Sequence, residues 1–343
     1  MAEKNLKIVF FGAGAIGASV GGWIAPQYDN LFFIDQGAVA AALKSKGITL
    51  YQMNEPDAKT TVKVKVLDGI EQAKDADVIV LGVKNFSLDK VSQLIKDKVG
   101  DRPIIVSMAN GLDNQLILPK YFSKVIYCVV SYNAWMDEPV TVGYQKKGPL
   151  VLGTLKNELQ AEMKSIADIF NQGVETVIVP HIQDAVHCKI VVNLVNPVTT
   201  LMGQTLRPIS DMELYQKIMT NVVYEGMKII QAAGFRECKL GGMPTWRTIW
   251  MGVNMPRFIS GTIFKKNVKK MNLSSMAQDV LLKKSKENEL DSITGYIVEL
   301  ADKHHVPAPF NKAIYAIAKQ EFAKPDFKPL DVKDVWEKIQ ANI

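Results

Sequence analysis

The stretch Lys7-Ile8-Val9-Phe10-Phe11-Gly12-Ala13-Gly14-Ala15-Ile16-Gly17 decides the fold. An apolar run of β-branched and aromatic residues reads as a buried strand, and the glycines after it have the GxGxxG spacing of a strand-to-helix turn. Gly12 permits the tight turn, Gly14 lets the backbone approach a pyrophosphate, and Gly17 lets helix pack closely on strand. The amides that open the helix, at Ala15 and Ile16, then face the phosphates. The next apolar run ends Phe32-Phe-Ile-Asp35-Gln36. An acid at that distance from the glycines is placed to accept from a ribose 2′-hydroxyl and to repel a 2′-phosphate. The reading is a dinucleotide site that favours NAD(H), with NADP(H) left open.

Further along, short β-branched runs alternate with helical segments. Strands are expected at Lys7–Phe11, Leu31–Ile34, Val78–Val83, Ile104–Ser107, Val125–Val130 and Glu175–Val179, with a hairpin-like pair at Val140–Gln145 and Leu150–Gly153. Such alternation predicts a doubly wound parallel sheet. From His181 the pattern changes to long amphipathic runs such as Leu214–Ala233 and Ile293–Lys303. The expected organisation is therefore an α/β dinucleotide-binding domain over 1–180, of the Rossmann kind, followed by an all-helical substrate and catalytic domain over 181–343.

Composition narrows the function classes. The 343 residues, 48% of them hydrophobic, can bury two cores, and a net charge of +6 suits an anionic small molecule better than nucleic acid. The cluster Lys265-Lys266-x-x-Lys269-Lys270 has no interleaved aromatic stripe and reads as a solvated helix face. Cys128, Cys188 and Cys238 are widely spaced, and the four histidines lack a metal-binding spacing, so neither a disulfide framework nor a metal is expected. The uncharged stretch Ile8 to Pro26 is explained by its glycines rather than as a secretory signal. A second uncharged stretch, Ile190 to Leu206, holds Asn193, Asn196, Pro197 and Gln204, polar groups that are costly in lipid. The sequence reads as cytoplasmic, without a membrane partner, and is compatible with a homodimer.

Two motifs in the second half carry chemistry. In Lys189-Ile-Val-Val-Asn193-Leu-Val-Asn196-Pro197 the lysine and both amides fall on one helical face amid valines. Buried polar groups are expensive without partners. Reducing a 2-oxo acid needs a proton donor at the carbonyl oxygen, and burial makes an ammonium readier to release its proton. A structural alternative stays open: satisfied core polars, or a lysine reaching water. The second motif is Asn272-Leu-Ser274-Ser275-Met276-Ala277-Gln278-Asp279, where Ser275 and Gln278 form a capping-box pattern and a helix N-terminus that could hold a carboxylate. Soon after, Asn288-Glu289-Leu-Asp291 places an acid at the next helix start.

In order along the chain, the glycine turn, Val83-Lys84, Asn110-Gly111, Lys189-x-x-x-Asn193, Ser274-Ser275-Met276-x-Gln278-Asp279, Glu289-Leu-Asp291 and Val306-Pro307-Ala-Pro309-Phe-Asn311 resemble the ketopantoate reductase family. The resemblance runs from residue 7 to about 320. It implies a dinucleotide-binding domain and a helical domain with the site in the cleft between them. Lys189 matches the general acid and Glu289 an essential glutamate. Asn110, Asn193 and Ser275 match substrate-binding positions, Asn196 is grouped with them more loosely, and Lys84 and Asn110 lie beside the cofactor.

The sequence departs from the family in three places. Asn196 stands seven residues after Lys189, where eight is usual; Asp35-Gln36 stands where an arginine for NADPH is common; and Leu240 to Lys270 is longer than usual. That last segment holds Trp246, Trp250, Met251, Met255 and Phe258, which either line a pocket or belong to the core. The substrate implied is a small 2-oxo acid, either 2-dehydropantoate or a similar branched acid, and NAD-dependent D-2-hydroxyacid dehydrogenases on other branched or aromatic acids are the alternative. Dehydrogenases of the 6-phosphogluconate or 3-hydroxyisobutyrate type share the Lys-x-x-x-Asn helix but lack the Ser-Ser-Met-x-Gln-Asp block. A module that only senses NAD has no use for a buried lysine among amides.

Overall fold

A computed structural model describes residues 5–285 and 287–341. The chain divides between Ala185 and Val186 into two compact units.

The first unit holds strands β1 (Ile8–Phe11), β2 (Leu31–Ile34), β3 (Ile48–Gln52), β4 (Thr60–Val62), β5 (Lys65–Val66), β6 (Val78–Leu81), β7 (Ile104–Ser107), β8 (Val125–Val130), β9 (Ala134–Glu138), β10 (Thr141–Tyr144), β11 (Leu150–Gly153) and β12 (Thr176–Ile178). Helices α1 (Ala15–Ile24), α2 (Gly37–Lys46), α3 (Asn85–Lys98), α4 (Asp113–Ile117) and α5 (Gln160–Phe170) connect them. An eight-stranded sheet has the order β12-β11-β8-β7-β6-β1-β2-β5. From β1 the chain winds outward through β2 to β5, then returns to lay β6, β7 and β8 on β1's other side, so the topological switch falls between β1 and β6. Ligands of such sheets bind outside the carboxyl ends of the strands at that switch. Phe10, paired with Phe33 on β2 and Val80 on β6, is fully buried and stacks on Phe33 at 5.3 Å between centroids.

The expected hairpin of Val140–Gln145 with Leu150–Gly153 does not form. β10 pairs antiparallel with β9 across the short Pro139-Val140 turn and joins a separate four-stranded sheet, β4-β3-β10-β9. β11 enters the large sheet instead, antiparallel to β8 and parallel to β12. Every β11 residue is buried, as an inner strand requires, and the shorter β9–β10 connection closes at lower entropic cost.

The second unit is helical. Helix α6 (Ile182–Asn193) crosses the division; α7 (Val195–Met202), α8 (Met212–Ala232), α9 (Trp246–Asn254), α10 (Arg257–Val268), the single turn α11 (Ser275–Ala277), α12 (Tyr296–Lys303), α13 (Pro309–Phe322) and α14 (Val332–Gln340) follow. The stretch Ile182–Met202 is long and apolar enough to cross a membrane, yet most of it is buried inside the protein. At α13, the Ala308 side chain cannot cap the helix. The α8 carboxylate Glu225 does so, accepting the Phe310 and Asn311 amides at 3.1 and 2.9 Å and Asn311 Nδ2 at 2.9 Å.

Candidate active site

In the first unit the candidate residues come from loops at the carboxyl ends of strands. Gly12 leaves β1 with φ +97°, and a Cβ there would press on Val83 and the Gly82 carbonyl. A Cβ on Gly17 would stand 2.1 Å from the Gly12 carbonyl oxygen, which is why the turn tolerates no side chain at either position. Gly14, the residue before α1, is exposed. Its nearest neighbour to an added Cβ is the Gly82 carbonyl at 3.6 Å, so the approach stays open. By helix geometry the Ala15, Ile16 and Gly17 amides lack intrahelical acceptors. Gly82, passed over in the sequence, is as constrained as Gly12, since its Cβ would lie 2.5 Å from the Gly12 oxygen.

Asp35 follows β2, and its carboxylate turns toward the glycine loop. Oδ2 accepts the Ala13 N–H at 2.6 Å and Oδ1 the Gln36 N–H at 2.7 Å. Each oxygen keeps acceptor capacity for a further donor. Lys84 precedes α3 and Asn110 follows β7. The link between these loops is Asn85, which the sequence reading missed. It is buried and donates from Nδ2 to the Asn110 carbonyl at 2.6 Å. Asn114 holds the same loop from its far side, donating to Ala109 O at 3.1 Å and Ser107 Oγ at 3.2 Å.

In the second unit, Lys189 and Asn193 stand one turn apart on α6, each only 8% exposed. The helix is interrupted at Leu194 and Asn196 lies on α7. Pro197 explains the break, because it lacks the N–H that would donate to the Asn193 carbonyl and its ring crowds that oxygen. The Asn196 carbonyl instead accepts the Thr199 and Thr200 hydroxyls at 2.9 and 2.7 Å.

The helix start at the serine pair is displaced by one residue from the capping box read in the sequence. Ser274, not Ser275, caps the turn by accepting the Ala277 N–H at 3.2 Å, and Gln278 Nε2 donates to the Leu273 carbonyl. The Ser275 side chain is thus released from capping. Thr199 on α7 donates to Ser274 Oγ at 3.4 Å, which brings this block against the segment that follows Lys189. Glu289 is 7% exposed, and Asn288 rather than the acid caps the turn, accepting the Leu290 N–H at 3.0 Å. π-Helical turns occupy Gln278–Leu282 and Asp291–Gly295, on either side of Glu289. Such turns are rare and concentrate at functional sites. A second contact unforeseen in the sequence ties α6 to α12: His187 Nε2 and the Tyr296 hydroxyl are 2.7 Å apart, with the imidazole stacked on Phe235 at 3.5 Å. Burial pushes the Tyr296 hydroxyl up to about 12, so it stays protonated.

Comparison with known proteins identifies the family. The family described as "Ketopantoate reductase PanE/ApbA" matches residues 8–157, and "Ketopantoate reductase PanE/ApbA C terminal" matches residues 181–321. The 2-dehydropantoate 2-reductase of Pyrococcus horikoshii is 26% identical over 92% of this chain and 97% of its own length. That of Archaeoglobus fulgidus is 24% identical over 91% and 97%. Among solved structures, a ternary complex of D-mandelate dehydrogenase with NADH and anilino(oxo)acetate superposes with a TM-score of 0.74 at 19% identity, covering 94% of this chain and 100% of that one. A PanE/ApbA family ketopantoate reductase from Ralstonia eutropha JMP134 gives 0.70 at 21%, covering 93% and 99%. The fold is shared with these structures, and the two family matches together run through both units. The chain belongs to the ketopantoate reductase family of NAD(P)-dependent oxidoreductases.

Proposed function

We propose that this chain reduces a small branched 2-oxo acid, 2-dehydropantoate or a close analogue, to the D-2-hydroxy acid with NADH. The observation that carries the reading is the pair of buried polar side chains, Lys189 and Asn193, one turn apart on α6.

The first unit fits a nicotinamide dinucleotide. Gly14 leaves room for a pyrophosphate, and the opening amides of α1 are aimed as donors. Asn85 Oδ1 is buried without a hydrogen-bond partner among the described residues, an acceptor awaiting a donor. Gly12, Gly14, Ala15, Ile16 and Gly17 would hold the phosphates, Asp35 the adenosine ribose, and Lys84 and Asn110 the other half of the cofactor. When bound, the reduced nicotinamide supplies the hydride that reaches the 2-oxo carbon.

The chain's own residues do the rest. The Lys189 ammonium gives a proton to the carbonyl oxygen as negative charge develops there, so that the C=O becomes CH–OH. Asn193 and Asn110 hold substrate oxygens. Ser275, not needed for the cap, is available to the carboxylate, with Asn196 in a lesser role. Glu289 accepts from the substrate hydroxyl. A second reading, a D-2-hydroxyacid dehydrogenase for other branched or aromatic acids, is favoured by Asp35 and by the likeness to a D-mandelate dehydrogenase that binds NADH. The dimeric Staphylococcus aureus relative supports a homodimer. Initial rates with 2-dehydropantoate, 2-oxoisovalerate, 2-oxoisocaproate and benzoylformate, each with NADH and NADPH, test the proposal. Turnover of 2-dehydropantoate above the others supports it, preference for benzoylformate supports the second reading, and no turnover of any acid refutes both.

A further inference from the structure

The lengthened segment after α8 gathers the chain's net charge. The protein has 41 basic and 35 acidic residues. Residues 238–278 contain Lys239, Arg247, Arg257, Lys265, Lys266, Lys269 and Lys270 and no carboxylate, which leaves 34 basic against 35 acidic residues everywhere else. The whole excess of positive charge lies in one stretch built around α9 and α10.

The same two helices expose large apolar side chains that the sequence reading assigned to a pocket or the core. Phe258 is 79% exposed, Ile263 53% and Trp250 50%. On α10 only a narrow stripe turns inward, with Ser260 and Val268 buried and Phe264 half-buried between them. At helical spacing, the outward positions carry Phe258, Ile259, Thr262, Ile263 and Lys266, all exposed. Lys265 and Lys266 fall in the last turn, and Lys269 and Lys270 just beyond it. Lysines there do favour the helix dipole. That benefit does not explain an aromatic ring and two isoleucines held in water on the same face.

We propose that the outward face of α10 docks on an anionic phospholipid surface, its apolar side chains entering the acyl boundary and its lysines meeting the headgroups. An apolar ridge followed by a cluster of cations is the pattern of a helix that lies in the membrane interface. Charge argues against a second copy as the occupant, since a twofold contact would bring two carboxylate-free, sevenfold basic segments together. Nucleic acid would match the lysines but has no use for Ile259 and Ile263, which cannot stack on bases.

Flotation of the full chain with phosphatidylcholine vesicles, and with vesicles about one-third phosphatidylserine, tests this. Each lysine near an anionic surface strengthens partitioning about fivefold, so binding to the anionic vesicles should exceed binding to the neutral ones by at least about 30-fold and fall as salt rises. Replacing Lys265, Lys266, Lys269 and Lys270 together by Gln should remove that difference. Phe258→Ser with Ile263→Ser should weaken binding at least about tenfold, while cofactor oxidation with soluble 2-oxo acids stays at the wild-type rate, which shows that the variants are folded. Equal binding to both vesicle types, or none, overturns the proposal. So does retention on immobilised polyglutamate without vesicle binding, which would identify an acidic protein partner. A wild-type dimer that the Phe258→Ser, Ile263→Ser variant loses in light scattering also overturns it.

Discussion

Asp35 offers the sharpest test of cofactor choice. Its carboxylate is fixed by the Ala13 and Gln36 amides at 2.6 and 2.7 Å, so it cannot turn away from a 2′-phosphate without giving up two charge-assisted bonds. Like charges about 4 Å apart cost about 1 kcal/mol per unit pair even in water, so a dianionic 2′-phosphate meets about 2 kcal/mol of repulsion. The hydrogen bond that a 2′-hydroxyl would have given adds about 1.5 kcal/mol. Together these are worth a few hundredfold, and kcat/KM for NADH should exceed that for NADPH by at least about 30-fold. Three variants separate the contributions. Asp35→Asn removes the charge but keeps an acceptor for the Ala13 amide, so NADPH use should rise while the glycine turn stays in place. Asp35→Ala also strips that amide of its acceptor and should lower the efficiency with both cofactors. Asp35→Ala with Gln36→Arg should narrow or reverse the ratio by supplying a phosphate partner. Initial rates over both cofactors at saturating 2-oxo acid are the assay. A wild-type enzyme that uses NADPH as well as NADH, or a ratio unmoved by Asp35→Asn, refutes the reasoning.

Lys189→Ala should lower kcat by roughly 10²–10⁴ while NADH still binds in a fluorescence titration, and near-normal kcat would remove the lysine from the chemistry. Glu289→Ala should impair turnover strongly, and a wild-type pH–rate profile in that variant would count against its role. The serine pair should divide: Ser275→Ala raises KM for the 2-oxo acid, whereas Ser274→Ala costs about 1 kcal/mol of stability through the lost cap, and the opposite assignment would return capping to Ser275. Glu225→Ala should cost about 3 kcal/mol in urea unfolding, because it strands two amides at the start of α13, while Asn311 Nδ2 keeps its bond to the Val222 carbonyl. Burial raises the Glu225 carboxyl above its ordinary value near 4.5 despite those donors. Folding is then favoured most where the group is protonated, and that contribution is lost as pH rises through the raised value. Glu225→Gln should flatten this part of the stability profile; an unchanged profile would show that the shift is not realised.

The parts of the fold that sequence makes legible are those whose cause is local. β1, the turn and α1 follow from a buried run and glycine spacing, and both demands are met within eleven residues. Gly82 is different: its small size is required by the Gly12 carbonyl, a neighbour only because β6 lies beside β1. Pairing of β10 with β9 rather than β11 likewise depended on which sheet had room for a fully buried strand. The interruption at Leu194 was legible, since Pro197 announces it. The adjacent serines could not be separated by pattern, because each can reach an amide two or three residues ahead. Thr199, far away in sequence, bonds to Ser274 and supports that choice. The π-helical turns left no sequence mark at all.

Burial of a polar side chain does not by itself mark a site, and this chain supplies the controls. Glu225 is buried because α13 begins at an alanine and its amides need an acceptor. Asn85 and Asn114 are buried because they tether one loop from two sides. Removing Glu225 or Asn114 would leave a named backbone group unsatisfied, so the fold alone accounts for those two. Lys189 is placed differently. It sits inside α6, where the carbonyls are already taken by the helix, and an ammonium brings three donors and a charge to a place where the backbone asks for neither. Asn193, one turn on, adds a second set of polar atoms to the same buried face. A segment of isoleucine and valine would fold more readily with leucine at both positions. In the proposed reaction the two residues have distinct tasks, the lysine giving the proton and the amide holding an oxygen, both carried on one helix.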